Sequence, residues 1–505
     1  MKNVLEWLEN SARRTPDALA FADVESQLSY GQLLDRARAV GSFVQRHVRP
    51  CTPVAFYLEK STVAVTGMLG AVYARCAYCV LDIRQPVERL AGILGTLAPG
   101  LVLADASCAD DARALCTSLG LQVAVIQELA DGPVDDAALA SLRAQALDID
   151  PLYINFTSGS TGVPKGVAVC HRSIIDFMGA FVDLLGITAE DRIANQAPFD
   201  FDVSVKDIYG ALYTGASVHL VPRDYFSTPV KLMDFLAERR VTICTWAVSA
   251  LCFVSIMGGL EYRVPETIRR VSFSGEVMPP KHLATWRSYL PDAVYVNLYG
   301  PTEITCNCTY FTVERDYGTD EVIPMGRAFD NEHVFLLDEN DREVRDPGVE
   351  GEICVAGTAL ALGYYNDPER TAAAFVDNPL VSAYPQRMYR TGDIGAYDAD
   401  GNLVYIARRD NQIKHLGQRI ELGEIEAAAH GVEGVLRACC LYDARKKRIL
   451  LFYAGACGKD DVLAQLREKL PQYMVPNKLF QLEELPLNKN GKIDRAALKE
   501  IGRIK

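Results

Sequence analysis

The sequence predicts an α/β protein with a large N-terminal domain of layered α/β subdomains plus a β-rich subdomain, followed by a small mobile α+β C-terminal domain. Short apolar strands alternate with helical segments over the first several hundred residues, which is the pattern of a parallel sheet covered on both faces. Strand and turn signals dominate past about residue 330. The polar stretch 407–412 leaves about 95 residues beyond it, enough for a small separate domain. We therefore expect domains at 1–409 and 410–505.

Composition and charge exclude several classes of protein. The chain has 505 residues and ordinary globular composition, and its net charge is −13 without a basic block, so we expect no nucleic-acid partner. Glu6 and Glu9 interrupt the region where a signal peptide would be apolar, and no apolar run reaches membrane-spanning length. We expect a cytoplasmic protein without membrane insertion.

The cysteines predict neither a disulfide framework nor a metal site. The 14 cysteines are scattered, which favours buried, reduced thiols. Cys76 and Cys79 have the spacing of a zinc pair, but no second pair or nearby histidine completes four ligands. Cys306 and Cys308 are interpreted as alternate residues of an extended segment.

One predicted helix of the α/β part begins at a recognisable cap. Ser29 and Gln32 have the spacing of a capping box, in which each side chain bonds the other residue's backbone N–H. Apolar residues then recur on one helical face: Leu33, Ala37, Val40 and Val44. Buried strands are predicted at 54–58 and Leu101–Ala104.

Strand signals also define the β-rich part of the chain. Segments 333–337 and 351–355 carry strand signals, and a hairpin is predicted around Asp398 to Gly401. In the last domain an amphipathic helix carries Val462, Leu463, Leu466 and Leu470 and is stopped by Pro471.

A segment rich in glycine and hydroxyl groups follows a predicted strand at 152–156. It runs Thr157-Ser158-Gly159-Ser160-Thr161-Gly162-Val163-Pro164-Lys165-Gly166. Glycines let a loop approach an anion, and backbone N–H groups, hydroxyls and an ammonium then neutralise phosphate charge. The segment predicts a phosphate-binding loop; taken alone, a plain surface loop is the alternative. The Walker pattern fails here, because Lys165 is followed by Gly166, so P-loop mechanics are not expected.

Four more segments follow in order along the chain. They are Asn297-Leu298-Tyr299-Gly300-Pro301-Thr302-Glu303, Tyr389-Arg390-Thr391-Gly392-Asp393, 412–414 with 417–421, and 490–495. Together with the glycine-rich loop they resemble the amino-acid adenylation domains of nonribosomal peptide synthesis. These belong to the adenylate-forming superfamily, which also holds acyl-CoA synthetases and firefly luciferase. The resemblance extends nearly end to end, from Leu28 to Lys492.

The resemblance implies a two-step reaction. A carboxylate attacks the α-phosphate of ATP and releases pyrophosphate, and the thiol of a phosphopantetheine arm on a carrier protein then captures the acyl adenylate. Such in-line attack needs alignment and charge neutralisation more than acid–base help. The implied cofactors are ATP and Mg²⁺, with phosphopantetheine on the partner.

The resemblance also implies a set of nucleotide-binding residues. They are Thr157, Ser158, Gly159, Ser160, Thr161, Gly162, Lys165, Gly275, Glu276, Asn297, Tyr299, Gly300, Thr302, Asp393, Arg408 and Lys492. The loop would hold the β- and γ-phosphates, and Thr302 would contact the α-phosphate. Tyr299 would stack on adenine while Asn297 binds its amino edge. Asp393 would accept hydrogen bonds from both ribose hydroxyls, with Arg408 nearby.

Four residues are implied in the chemistry itself: Lys492, Thr302, Glu303 and Lys414. Glu303 would bind Mg²⁺. Lys492 would bridge the substrate carboxylate and the α-phosphate, and the face around Lys414 and 417–421 would replace it in the second step after rotation about Asp410. Ala407 departs from the family's usual Gly before the hinge.

The pocket motif implies an α-amino acid as substrate. Asp202 stands where a carboxylate pairs with the substrate α-ammonium, and Asp200, two residues away, is the competing carboxylate. The implied pocket is lined by Asp202, Val203, Lys206, Thr245, Ser272, Ser274, Leu298, Gly300, Cys306 and Asn307. It is polar. Lys206 would meet a substrate carboxylate, or instead pair with Asp207 or Asp200, or extend outward to solvent.

Three functions remain open at this stage. A stand-alone amino-acid adenylation enzyme that feeds a separate carrier protein is the leading one, and the chain looks most like the D-alanine:carrier-protein ligases of teichoic-acid alanylation. An acyl- or aryl-acid:CoA ligase predicts a non-carboxylate at Asp202. A degenerate scaffold predicts losses among Lys165, Glu303, Asp393 and Lys492, and all four are present.

Overall fold

The computed structural model describes residues 1–159, 164–409, 412–487 and 493–504. Two compact units are present. Unit 1 comprises Met1–Asp82, Leu97–Asn155 and Gly166–Arg409, and unit 2 comprises Ile83–Thr96, Phe156–Lys165 and Asp410–Lys505. The predicted α/β class, with a large N-terminal part and a small α+β C-terminal part, is confirmed. The proposed hinge residue Asp410 lies outside the described residues.

The helices lie between and after the strands along most of the chain. They are α1 Leu5–Arg14, α2 Tyr30–His47, α3 Thr62–Tyr73, α4 Val87–Leu97, α5 Ala109–Thr117, α6 Ile126–Leu129, α7 Asp136–Gln145, α8 His171–Leu185, α9 Ser204–Thr214, α10 Pro229–Glu238, α11 Val248–Ile256, α12 Gly259–Tyr262, α13 Pro280–Tyr289, α14 Pro368–Ala374, α15 Leu422–His430, α16 Lys459–Lys469 and α17 Arg495–Gly502. Short 3₁₀ turns occur at Ala106–Cys108, Arg223–Ser227, Thr302–Ile304 and Gln472–Met474.

The strands are mostly short. They are β1 Leu19–Ala22, β2 Gln27–Ser29, β3 Val54–Tyr57, β4 Tyr78–Leu81, β5 Leu101–Ala104, β6 Val123–Val125, β7 Pro151–Thr157, β8 Lys165–Cys170, β9 Arg192–Asn195, β10 Ser217–Leu220, β11 Ile243–Ala247, β12 Arg270–Ser274, β13 Val294–Tyr299, β14 Thr309–Thr312, β15 Arg327–Ala328, β16 Glu332–Leu337, β17 Glu343–Val344, β18 Gly351–Gly357, β19 Gly363–Tyr364, β20 Phe375–Asp377, β21 Arg387–Tyr397, β22 Leu403–Arg408, β23 Gln412–His415, β24 Gln418–Glu421, β25 Val435–Asp443, β26 Arg448–Gly455 and β27 Lys478–Leu482.

Three larger sheets are formed by these strands. The first has the order β15-β14-β13-β12-β11-β9-β10-β1-β2, the second β19-β8-β7-β4-β3-β5-β6, and the third β17-β16-β18-β21-β20 with β22 beside β21. In the first sheet β9 to β13 run parallel, and β14, β15 and β2 are antiparallel additions. The third sheet is antiparallel, which agrees with the β-rich texture predicted past residue 330.

The local predictions for these elements hold. Both hydrogen bonds of the Ser29–Gln32 capping box are present at the start of α2. The strand predicted at 54–58 ends one residue earlier, at Tyr57, and β5 matches its predicted bounds. The predicted hairpin joins β21 and β22. The amphipathic helix near the C-terminus is α16, which ends at Lys469, just before Pro471.

Unit 2 has its own apolar core. β25, β26 and β27 form a sheet, with β25 and β26 antiparallel and β26 and β27 parallel. Helices α15 and α16 contribute Ile425 and Leu466, both fully buried, to a core that includes Leu451 of β26. Such a core stabilises a small unit because each large apolar side chain contributes about 1.5–3 kcal/mol on burial.

The predictions for the paired cysteines differ in outcome. Cys76 and Cys79 are buried thiols, the first just before β4 and the second within it. The interpretation of Cys306 as part of an extended segment is wrong: its φ is +78°, and only Cys308 leads directly into β14. Within the described ranges, no helix combines the length and apolarity needed to cross a membrane.

Candidate active site

Two parallel strands of the first sheet present one polar and one apolar face. Thr245 of β11 and Ser272 of β12 are register partners, and Ser274 lies two residues further along the same face. Because side chains alternate across a strand, the intervening Phe273 and its partner Trp246 point the other way, into an apolar core. The predicted pocket residues on these strands therefore share one face of the sheet.

Helix α9 supplies Lys206 to that polar face. Lys206 is 1% exposed, and its Nζ donates hydrogen bonds to Asn307 Oδ1 at 3.0 Å and Ser274 Oγ at 3.5 Å. The Phe181 ring centroid of α8 lies 5.9 Å from Nζ. One alternative for Lys206 is thereby wrong, because the side chain does not extend to solvent. Its described hydrogen bonds go to Asn307 and Ser274 rather than to Asp207.

Asp207 follows Lys206 in the chain, but its side chain has different hydrogen-bond partners. Its Oδ2 accepts a hydrogen bond from Asn195 Nδ2 at 2.8 Å. Adjacent helical residues point about 100° apart, so the two side chains diverge. Burial raises the pKa of Asp207 to about 7, while Asn195 and the charges of Lys206 and Lys60 act in the lowering direction. Asp207 is thus a weakly charged neighbour of the pocket near neutral pH.

A strained turn positions the hydrogen-bond acceptor of Lys206. Thr305 and Cys306 have φ values of +52° and +78°, and Asn307 N donates to Thr305 O at 3.0 Å. A positive φ near 75° with an i to i+2 hydrogen bond is the rare, strained form of γ-turn. Thr305 Oγ1 donates to Ala359 O at 2.6 Å, which anchors the turn from outside.

Gly300 permits the close approach of this turn to the end of β13. A Cβ added at Gly300 would lie 2.5 Å from Asn307 Cα and 2.8 Å from the Cys306 carbonyl oxygen. Both are backbone atoms that a rotamer change cannot move. The glycine is therefore required by packing. It lets the segment 297–303, here called the β13 motif, lie against the turn 305–307, here called the pocket turn.

Asp202 lies at the entry to α9, close to the same pocket. It is 7% exposed, whereas Asp200 is only half-buried. Val203, also buried, follows it at the N-cap of α9. Burial raises the pKa of the Cys306 thiol, with Lys206 acting in the opposite direction and Asp202 in the same direction. The charges of both Lys206 and Asp202 act on the Cys306 thiol, so both side chains lie near it.

The nucleotide residues at β13 and β21 also come together. Asp393 is 1% exposed; its Oδ1 accepts from Arg408 Nη1 at 2.8 Å and its Oδ2 from Tyr299 Oη at 2.6 Å. Asp393 and Arg408 are register partners in β21 and β22, so the sheet itself sets this pair. A carboxylate has about four acceptor positions, so the two oxygens keep capacity for further donors. Burial, then Asp393, raises the pKa of Tyr299, which keeps its phenol a donor.

The remaining residues of the β13 motif have partners in unit 1. Asn297 Nδ2 donates to Pro324 O at 2.7 Å. Glu303 is fully buried in the 3₁₀ turn that begins at Thr302, and its Oε1 accepts from Tyr364 Oη at 2.8 Å. Leu298, on the same strand, is also buried.

Gly275 and Glu276 follow directly after β12. Gly275 has a φ of +95°, which favours glycine, so it turns the chain at the strand end. Glu276 is half-buried beside it. The two residues lie next to Ser274, at the carboxyl end of a parallel strand, where ligands bind in open α/β sheets.

The phosphate-loop prediction falls only partly on described residues. Thr157 ends β7, Lys165 begins β8, and Gly159 is buried between them. The Thr157 hydroxyl is buried without a hydrogen-bond partner among the described residues. Ser158 Oγ donates to Arg419 O at 2.8 Å and accepts from Glu421 N at 3.2 Å. Ser160, Thr161 and Gly162 lie outside the described residues.

In unit 2 the predicted second-step residues lie on a tight hairpin. Lys414 of β23 is the register partner of Arg419 of β24. Leu416 and Gly417, at the turn between these strands, have φ values of +53° and +79°. Two consecutive positive φ values match the two-residue turn that hairpins prefer. Lys492 lies outside the described residues.

Sequence reasoning missed two residues beside this site. Tyr364 binds Glu303 from a segment 61 residues away, and no motif marks it. Lys60 donates to the carbonyl oxygens of Asn195 and Gln196 at 3.1 and 3.0 Å, and burial lowers its pKa to about 7. The sequence signal for Lys60 is its position shortly after the apolar strand β3. This signal is weak, because a lysine after a strand is usually exposed to solvent.

Comparisons with known proteins assign the chain to a family. Residues 8–365 match the AMP-binding enzyme family and residues 424–492 match the AMP-binding enzyme C-terminal domain. The chain belongs to this family of AMP-binding enzymes.

Similar proteins are mostly much longer than this chain. Tyrocidine synthase 1 of Brevibacillus parabrevis is 31% identical over 99% of the chain, which spans 45% of that protein. Gramicidin S synthase 2 of Brevibacillus brevis is 32% identical over 99% of the chain, which spans 11% of it. A solved NRPS protein containing adenylation and PCP domains, bound to a vinylsulfonamide inhibitor, is 28% identical with a TM-score of 0.81, covering 99% of this chain and 84% of that one.

Proposed function

We propose that this protein activates an α-amino acid with ATP and transfers it to a carrier protein. In the first step a carboxylate oxygen of the amino acid bonds to the α-phosphorus and the bond to pyrophosphate breaks. In the second step the thiol of a phosphopantetheine arm, losing its proton, bonds to the acyl carbon and AMP leaves. A carrier as the acceptor is supported by the solved relative that contains adenylation and PCP domains. In this proposal the carrier is a separate protein.

The buried carboxylate of Asp202 carries this proposal. A carboxylate that is 7% exposed is costly to ionise unless a cation or hydrogen-bond donors compensate it. An α-ammonium supplies both, and it lies next to the carboxylate that must reach ATP. A fatty or aryl acid has no ammonium to place beside Asp202, so it gains nothing from this carboxylate. The substrate is therefore an amino acid rather than a simple acid.

The nucleotide is held by the residues around Asp393 in this proposal. Tyr299 and Arg408 each donate a hydrogen bond to one carboxylate oxygen of Asp393. The remaining lone pairs of these two oxygens accept hydrogen bonds from the ribose hydroxyls. Asn297 presents its amide to adenine, and Thr302 contacts the α-phosphate. The β- and γ-phosphates lie against the segment from Thr157 to Lys165.

Glu303 is suited to hold Mg²⁺. A carboxylate oxygen is the ligand type that Mg²⁺ prefers, and Mg²⁺ usually takes one or two carboxylates plus substrate phosphates, so this single carboxylate is a sufficient contribution from the protein. The ion supplies charge neutralisation on the phosphates. Tyr364 orients Glu303 through its 2.8 Å hydrogen bond.

The two steps use different parts of the last domain in this proposal. Residues 1–409 form the core that binds ATP and the amino acid, and 410–505 form a mobile lid. Lys492 bridges the carboxylate and the α-phosphate in the first step. Lys414 and the Gly417 hairpin replace it in the second step.

Amino-acid-dependent exchange of pyrophosphate into ATP tests the proposal. Purified protein should give exchange with at least one α-amino acid and none with the des-amino acid of the same side chain. Asp202→Asn should lower kcat/KM at least about 100-fold while nucleotide binding persists, because it removes only the partner of the ammonium. Exchange with des-amino acids, or acyl transfer to CoA, would instead support the CoA-ligase alternative. A maximum with D-alanine would support the teichoic-acid ligase alternative.

A further inference from the structure

We propose that the side-chain pocket selects an α-amino acid whose side chain ends in a carboxylate, and that Lys206 Nζ is its partner. This inference rests on the proposed function and names the substrate class of the same site. Asp202 then receives the α-ammonium, ATP receives the α-carboxylate, and Lys206 receives the second carboxylate. The substrate belongs to the aspartate and glutamate class.

The inference begins with the cost of burying Lys206. Its side chain is 1% exposed, and its two oxygen acceptors, Asn307 Oδ1 and Ser274 Oγ, are neutral. A buried ammonium is paired or strongly hydrogen-bonded, because neutral acceptors replace only part of its hydration. An ammonium has three donors. In addition to the two oxygens, the ammonium of Lys206 contacts the Cys306 thiol, which is a weak acceptor. One donor and most of the charge thus lack a strong acceptor, which a ligand carboxylate can supply.

The nearest carboxylates do not meet this need. Asp207 is directed to Asn195, and burial raises its pKa to about 7, so it carries only part of a charge near neutral pH. Among the described residues it forms no ion pair with Lys206. Asp202 is reserved for the α-ammonium in the proposed function. A substrate carboxylate completes the charge balance of the pocket.

The walls of the pocket support a polar rather than an apolar side chain. Ser272 Oγ is completely buried and has no hydrogen-bond partner among the described residues. It lies on the same strand face as Ser274, which contacts Lys206. An unsatisfied buried hydroxyl costs about 1–3 kcal/mol, and a substrate oxygen can satisfy it. A carboxylate brings two acceptor oxygens, which suit one ammonium and one hydroxyl.

The γ-turn keeps the ammonium in one place. Asn307, which accepts from Lys206 at 3.0 Å, directly follows Thr305 and Cys306, whose φ values are positive. Strain of this kind persists where the surrounding structure over-determines it, and it occurs at ligand sites. A pre-positioned cation loses little entropy on binding, so discrimination depends on the charge and length of the substrate side chain.

The test compares charged substrates with their uncharged isosteres. We would measure amino-acid-dependent pyrophosphate exchange with aspartate, asparagine, glutamate, glutamine, alanine and leucine, as both enantiomers. The inference expects the highest kcat/KM for an acidic amino acid, at least about 100-fold above its amide. The preferred acid reports the length of the pocket.

A variant pair assigns that preference to Lys206. Lys206→Met keeps an unbranched side chain, one heavy atom shorter, but removes its charge, and it should reduce the acid-to-amide ratio at least about 100-fold. Lys281→Met on the exposed face of α13 is the matched control and should leave the ratio unchanged. If Lys206→Met does not fold, the wild-type ratio decides alone.

The outcomes separate this inference from the proposed function. A wild-type maximum for an amide, alanine or an apolar amino acid, or an unchanged ratio in a folded Lys206→Met, would overturn the inference while leaving amino-acid activation intact. Exchange with no amino acid at all would overturn the proposed function itself. An acidic maximum lost in Lys206→Met supports both.

Discussion

Gly300→Ala tests whether the close packing of β13 against the pocket turn controls both stability and substrate binding. The added Cβ would lie 2.5 Å from Asn307 Cα, 2.8 Å from Cys306 O and 2.9 Å from Cys308 N. Ordinary contacts begin at 3.4 Å, so the turn must move by about 0.9 Å, which is 3.4 minus 2.5. Overpacking against rigid atoms costs about 1–3 kcal/mol. We expect the upper part of this range, because all three atoms are backbone.

The same displacement should weaken the pocket. A shift of that size lengthens the 3.0 Å hydrogen bond between Lys206 and Asn307 beyond the ordinary range. We therefore expect a KM for the amino acid raised at least about 10-fold, which corresponds to about 1.4 kcal/mol, with a smaller change in the KM for ATP. Urea unfolding and pyrophosphate exchange measure the two effects on the same preparations.

Gly179→Ala is the matched control. Gly179 lies inside α8, where an added Cβ meets nothing within 4 Å. Alanine is preferred over glycine in a helix interior by up to about 1 kcal/mol, so this variant should be slightly more stable and equally active. The reasoning is refuted if Gly300→Ala unfolds at the same urea concentration as the wild type and keeps its KM for the amino acid.

Four other changes test the remaining parts of the site and fold. Arg408→Met removes the cation that pairs with the buried Asp393, and urea unfolding should show a loss of about 3–5 kcal/mol; a loss below about 1 kcal/mol would contradict a buried pair. Burial lowers the pKa of His171 from 6.5 to about 4, so the folded state favours the neutral ring. Stability is then present above pH 6.5 and is lost as pH falls towards 4, with a slope of about 1 kcal/mol per pH unit near pH 5 that His171→Gln should reduce; an unchanged slope would count against it. Gly417→Ala strains a residue with φ of +79° and should slow thioester formation while sparing pyrophosphate exchange; equal loss of both steps would argue against separate roles. Lys492→Ala should reduce pyrophosphate exchange far more than ATP binding, and unchanged exchange would remove Lys492 from the first step.

The sequence predicts best those features that depend on neighbours in the chain. The capping box joins Ser29 and Gln32, three residues apart, and both of its hydrogen bonds are present. Helix α16 ends just before Pro471, as a residue that cannot continue a helix requires. The short buried strands β3 and β5 appear within one residue of their predicted bounds. Local sterics and hydrogen bonding decide each of these.

Contacts between distant segments could not be predicted from local patterns. The hydrogen bond from Lys206 to Asn307 spans 101 residues, and that from Tyr364 to Glu303 spans 61. The extended backbone predicted for Cys306 is wrong: the residue has a positive φ and lies in a turn that packs closely against Gly300, a contact between segments that local propensity does not reveal. Motifs identify which residues belong to the site, but only packing decides which way their side chains point.

The orientation of Lys206 illustrates why that distinction matters for specificity. A lysine on an amphipathic helix ordinarily extends its ammonium to solvent, and α9 has exposed positions, such as Tyr213, at its far end. Lys206 is instead buried, and its ammonium reaches Ser274 of β12 and Asn307 of the strained turn at Cys306. Two unfavourable features, a buried cation and a strained backbone, therefore meet at one point. Each costs folding free energy, and a ligand carboxylate would offset the larger of the two costs. Binding of an acidic amino acid should then stabilise the folded protein more than binding of its amide.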